Sequence, residues 1–97
     1  MSNDNENEKL KTAVALEYEA GEQAPKIVAT GKGHIAEKII QAAEEENVPI
    51  HKDEKLAGTL SKLEIGDYIP EELYGIVAEI LVMVDRAESK KKAMLTN

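Results

Sequence analysis

The residues of this chain best placed to do chemistry lie in one short run, Gly31-Lys32-Gly33-His34. Two glycines and a lysine between an apolar segment and a helical one resemble a phosphate cradle: free amides at a helix N-terminus, the positive end of the helix dipole, and an ammonium group. The dinucleotide fingerprint needs a third glycine that is absent, and the nucleoside-triphosphate loop needs Gly-Lys-Ser/Thr after a longer run. Gly31, Lys32 and Gly33 are therefore a candidate anion-binding or nucleotide-binding turn. The competing reading is that the glycines only permit a tight strand-to-helix turn.

Other candidates carry less. His34 and His51 are the only histidines, and neither has a second histidine at i+4 or sits in His-Glu-x-x-His, so no metal site is expected. Ser2, Ser61 and Ser89 lie outside any Gly-x-Ser-x-Gly elbow, and there is no cysteine to act as nucleophile, disulfide partner or zinc ligand. The run Glu44-Glu45-Glu46 falls at a helix end and reads as a solvated face. No catalytic residue and no cofactor is expected.

The elements that would position these residues follow from hydrophobic period. Thr12–Tyr18 alternates, with Val14, Leu16 and Tyr18 on one face, as a half-buried strand does. Ala20–Pro25 has turn composition, and Lys26–Thr30 is a second strand. Ile35, Ile39, Ile40 and Ala43 recur at helical spacing after the glycine turn, in a helix ending near Asn47. Val48–His51 is short and extended, and Pro49 suits a strand start or edge. Asp53 can cap a helix running through Leu56, Leu60 and Leu63. After the loop Ile65–Pro70, a last helix has Leu73, Ile76, Val77, Ile80, Leu81 and Val84 as its buried stripe, with Pro70, Glu71 and Glu72 suited to its first turn. The polar residues 1–11 are expected to be a disordered tail, and 89–97, with Lys90-Lys91-Lys92, a frayed helix end.

The 97 residues carry a net charge of −7, which disfavours nucleic acid because phosphate binding needs a surplus of cations. Only 42% are hydrophobic and three tyrosines are the only aromatics, so one small aliphatic core is expected. The longest uninterrupted apolar stretch, Ile80–Val84, is too short to span a bilayer, and the acidic start lacks the blocks of a signal peptide. A cytoplasmic protein follows. Its fold is expected to be α/β, a small mixed sheet of about three strands covered by about three helices.

The assembled segments resemble a known pattern. Ala13-Val14-Ala15-Leu16 with Tyr18, Ala24-Pro25-Lys26-Ile27-Val28-Ala29, Gly31-Lys32-Gly33, Asn47-Val48-Pro49-Ile50, Leu56-Ala57 and Glu64-Ile65-Gly66-Asp67-Tyr68-Ile69-Pro70-Glu71-Glu72-Leu73-Tyr74 look like the cytoplasmic domain of the flagellar export switch protein FlhB and its type III secretion relatives. The match spans about Thr12 to Glu88. Members of that family carry transmembrane helices ahead of this domain, a strand upstream of it, and a self-cleaving Asn-Pro-Thr-His. Here Glu8-Lys9-Leu10-Lys11 stands in that register, and Gly58 stands where the family often has arginine.

The resemblance implies a domain spanning 12–88 that lacks one strand of its sheet, leaving an edge or groove open to pairing with another chain. It also implies a protein-interaction module of flagellar or type III export that does not cleave itself, recruited from the cytoplasm to the membrane export gate. The expected partners are export-apparatus proteins or export substrates. The expected contact residues are Asp53, Leu56, Leu60, Glu64, Asp67 and Tyr68.

Overall fold

In the computed structural model, residues 10–81 and 90–97 are described. The expected N-terminal tail therefore lies outside the described residues except for Leu10 and Lys11, and so does Val84.

Eight-residue β1 (Thr12–Glu19) and β2 (Lys26–Lys32) form an antiparallel pair. The ladder pairs Ala15 with Ala29 and then Leu16 with Ile27, so Val28 is an extra residue that bulges out of β2. Helix α1 (His34–Glu45) follows, then β3 (Ile50–Lys52) and helix α2 (Glu54–Leu60). A single 3₁₀ turn (Glu71–Leu73) leads into α3 (Tyr74–Leu81), and β4 (Lys90–Thr96) comes last.

The sheet has four strands in the order β2-β1-β4-β3, antiparallel between β1 and β4 and parallel between β4 and β3. This corrects two expectations. Residues 89–97 are not a frayed helix end, because Lys90–Thr96 form a strand in the middle of the sheet. The sheet expected to lack one strand, with an edge or groove left open, has that same strand as its fourth, between β1 and β3. Physically, Ala93, Met94, Leu95 and Thr96 are all buried, which no frayed end would be.

Both faces of the sheet are covered. On one face Val14, Leu16, Ile27, Ala93 and Leu95 meet Leu56 and Leu60 of α2 and Val77, Ile80 and Leu81 of α3 in the main core. On the other, Ala13 and Met94 meet Ala36 and Ala43 of α1, with Ala15, Ile39, Ile40 and Val48 packed against them. Strand β1 is thus buried on both sides through Ala15, not half-buried. Its small alanines let α1 lie close, and the large aliphatics go to the other side.

Local chemistry sets the element ends. Asp53 caps α2, its Oδ1 accepting the Leu56 amide at 3.0 Å, as the sequence suggests. The helix stops at Leu60 rather than Leu63. Asn47 takes φ 61 just past α1, and the Val48 amide reaches back to the Ala43 carbonyl at 2.8 Å, closing the helix in the left-handed manner that asparagine tolerates. Two expected core positions face outward: Ile35, which is 59% exposed over the start of α1, and Ile76 on α3.

Candidate functional site

The glycine run that ends β2 and opens α1 is built for packing. A Cβ on Gly31 would run into the side chain of Ile35 and press on Ile39, so the glycine is what lets α1 approach the strand. Gly33 lies at φ 62, and its amide donates to the Lys11 carbonyl at 2.8 Å. One of the amides an anion would need is therefore already bonded to β1's approach. His34 Nδ1 lies 3.4 Å from Glu37 Oε1, so a carboxylate stands near the mouth of the turn. Gly31, Lys32 and Gly33 do come together as the sequence suggests, in a geometry that serves the strand-to-helix joint.

The segment Glu64–Pro70 is organised differently. Its first four residues close on themselves: the Asp67 amide donates to the Glu64 carbonyl and the Glu64 amide to Asp67 Oδ2, both at 2.9 Å. Gly66 sits at φ 96, a conformation a side chain would resist. The turn is then fixed to the outer edge of β2. The Ile27 amide donates to Asp67 O at 2.9 Å, the Gly66 amide to Ile27 O at 2.7 Å, and the Ile69 amide to Pro25 O at 3.0 Å. A bridge pairs Lys26 with Tyr68. Ile69, 2% exposed, anchors the loop in the main core.

Because the backbone is held this way, the side chains that point out are held out. Ile65 is 64% exposed and Tyr68 43%. Two outward apolar side chains within four residues of a hydrogen-bonded loop form a small exposed apolar patch. Beside Tyr68, the Lys26 ammonium lies 3.3 Å from Glu22 Oε2. Hydrogen bonding and charge from Glu22 raise the Lys26 pKa above 10.5, so the cation persists next to the patch.

The six expected contact residues do not form one surface. Leu56 and Leu60 are buried in the main core and hold α2 to the sheet, so they are unavailable to a partner. Asp53 serves as the helix cap, and its own amide donates to Thr96 O at 2.8 Å, tying α2 to β4. Glu64 and Asp67 close the turn, and Tyr68 is displayed. Ile65 was missed because it falls at the start of a segment that reads only as a loop, with no local signal of which way its side chain faces. The exposed face of α2 carries Lys55, Gly58 and Thr59, which with Lys62 just past the helix surround a shallow depression.

A cleft of about 310 Å³, also missed, is lined by Tyr18, Pro25, Tyr74 and Lys91 among others. Its walls come from four separated segments, so no local pattern could announce it. Among the described residues, no group of histidine, cysteine, aspartate and glutamate side chains is placed to hold a metal ion.

The same segments that build this scaffold are the ones a family model recognises: the FlhB HrpN YscU SpaS Family matches residues 10–84. The chain belongs to this family. Within it, the Bacillus subtilis protein YlqH is 42% identical over 84 residues, covering 86% of this chain and 90% of YlqH. The flagellar biosynthetic protein FlhB of Escherichia coli is 43% identical over 74 residues, which is 74% of this chain and 19% of that protein. The chain thus spans about a fifth of the FlhB relatives it matches.

The fold agrees. A crystal structure of a point-mutated EscU C-terminal domain superposes with a TM-score of 0.74 at 34% identity, covering 79% of this chain and 96% of that domain. The fold is that of the export-switch C-terminal domain, a mixed sheet with three helices. Among the described residues no helix is long and apolar enough to cross a membrane.

Proposed function

We propose that this FlhB-family domain is a non-enzymatic interaction module of flagellar or type III protein export, binding export-apparatus proteins or export substrates through the loop Glu64–Pro70. The observation that carries this reading is the pinned loop: two backbone hydrogen bonds to Ile27 of β2, a third to Pro25 just before it, and a buried Ile69 hold Ile65 and Tyr68 in the solvent. Preformed display of this kind lowers the ordering cost of binding, which is where flexible loops lose affinity. Contact is made by Ile65 and Tyr68, with Lys26 beside them. Asp53, Leu56 and Leu60 act by holding α2 in place.

A cytoplasmic location with recruitment to the membrane export gate fits this role. The absence of self-cleavage belongs to the same reading, since the sequence contains no Asn-Pro pair and Glu8-Lys9 stands in its register. Intact mass after prolonged incubation should equal the translated mass, apart from Met removal. A fragment split near Lys9 would contradict it.

The interaction is tested by affinity capture on the full chain, with FlhB and other export-apparatus components quantified against an unrelated acidic domain as control. They should be enriched by the wild type, and enrichment should drop at least fivefold with Ile65→Ser/Tyr68→Ala while the circular dichroism spectrum is unchanged. Equal retention by the double variant would exclude this loop as the contact.

A further inference from the structure

Between β1 and β3 the sheet has a slot one strand wide, and the segment filling it stands apart from the rest of the domain. The family match ends at residue 84, ahead of β4. The slot's occupant therefore lies outside the residues the family model matches, although it sits between β1 and β3.

Strand β4 has two chemically distinct halves. Ala93 and Leu95 enter the main core and Met94 the second cluster, with Thr96 also buried. The preceding lysines meet acid across the ladder: Lys90 stands opposite Glu19 and Lys92 opposite Glu17, with Lys92 Nζ 4.0 Å from Glu46 Oε1. At the far end Asn97 clamps the strand, its Oδ1 accepting the Thr12 amide at 3.0 Å and its Nδ2 donating to Leu10 O at 2.8 Å. The slot is thus specific for an extended segment that is cationic first, apolar on both faces next, and closed by an amide side chain.

A second copy of this chain presents a segment with that pattern. We propose that β4 is an exchangeable strand and that the slot between β1 and β3 accepts β4 from a second copy, giving a reciprocally swapped dimer. Every contact β4 makes at home is remade in the partner copy, so exchange costs only opening and association. Opening parts the ladders to β1 and β3 and withdraws Ala93, Met94, Leu95 and Thr96, of which only Met94 and Leu95 are large side chains, and the Lys92–Glu46 ion pair at the other end is solvent-exposed and weak. An emptied slot leaves two unpaired strand edges facing each other, the strongest template for an incoming strand that a sheet can offer.

Ala13 stands directly opposite Thr96 in the register, both are buried, and the chain has no cysteine. Opposed residues of antiparallel strands lie within disulfide reach. Full-length Ala13→Cys protein is mixed with full-length Thr96→Cys protein at high concentration under mild oxidation, and the heterodimeric disulfide is counted by mass spectrometry. Its yield should exceed by at least tenfold that of Ala13→Cys mixed with Lys55→Cys, whose thiol is on the exposed face of α2.

The Ala13→Cys/Thr96→Cys double variant checks the geometry by forming the bond within one chain. As an independent readout, a labelled Lys-Lys-Lys-Ala-Met-Leu-Thr-Asn peptide should bind wild-type protein at least tenfold better than a scrambled peptide, and the oxidised double variant should lose that binding until reduced. An inter-chain bond at control level, or equal binding of native and scrambled peptides, overturns the proposal.

Discussion

Two glycine-containing turns, Gly31–Gly33 and Glu64–Asp67, do opposite jobs with similar residues. In the first, the missing Cβ is filled from outside: Ile35 occupies the space and α1 comes down onto the sheet. In the second, nothing stands within 4 Å of a Cβ built on Gly66, and the glycine is there for its φ of 96. The first turn is closed by packing and the second is opened by it, since its backbone is clamped so that its side chains face solvent. The lysine-bearing turn packs a helix onto the sheet, and the loop that carries the expected contact residues holds Ile65 and Tyr68 out in solvent.

Substituting the two glycines separates these roles. Gly31→Ala should be the most damaging, costing about 1–3 kcal/mol by overpacking against Ile35. Urea denaturation measures it, and an unchanged midpoint would mean α1 does not need that approach. Gly66→Ala forces a side chain into the left-handed region and should cost about 1–2 kcal/mol; here Ile35→Ala should bring no relief, whereas it should partly rescue Gly31→Ala.

Gly58 calibrates both. It lies inside α2 with nothing within 4 Å of its would-be Cβ and no unusual φ, so Gly58→Ala should raise stability by about 0.5–1 kcal/mol. Destabilisation there would undermine the logic applied to the other two. Ile65→Ser on the display loop should change stability by less than about 0.5 kcal/mol, because the side chain is already in water.

The smallest effect concerns Lys26 beside Tyr68. Its folded-state pKa is raised by Glu22, so its contribution is fully present below the ordinary value of 10.5 and is lost as pH rises through the higher folded value. The stability difference between wild type and Glu22→Gln should therefore shrink on titration above about 10.5. Added salt should shrink it as well, since the pair is exposed.

Much of this scaffold was legible because its signals are local. The alternation of Thr12–Tyr18, the helical spacing after Gly33 and the Asp53 cap each depend on neighbours in sequence. Strand β4 was not legible, for two physical reasons. Three lysines match what a fraying helix end prefers, and Ala93-Met94-Leu95 is buried on both faces, which removes the alternation that marks a strand. The candidate contact residues were half legible. Tyr68 was found, but Leu56 and Leu60 turned inward, because a helix's apolar stripe says that it packs and not against what. Ile65 turned outward because the clamp around it, made by Pro25, Ile27 and Asp67, is a tertiary arrangement.

The pairing of Thr12 with Asn97, 85 residues apart, also bears on synthesis. As the chain leaves the ribosome, β1 and β2 can zip into a hairpin at once, but β1's other edge and the whole of β3 must wait for β4. Until then two strand edges lack a partner, and the core clusters lack Ala93, Leu95 and Met94. The strand made last is therefore the one that joins β3 to the β1–β2 hairpin, and the sheet closes only when it arrives.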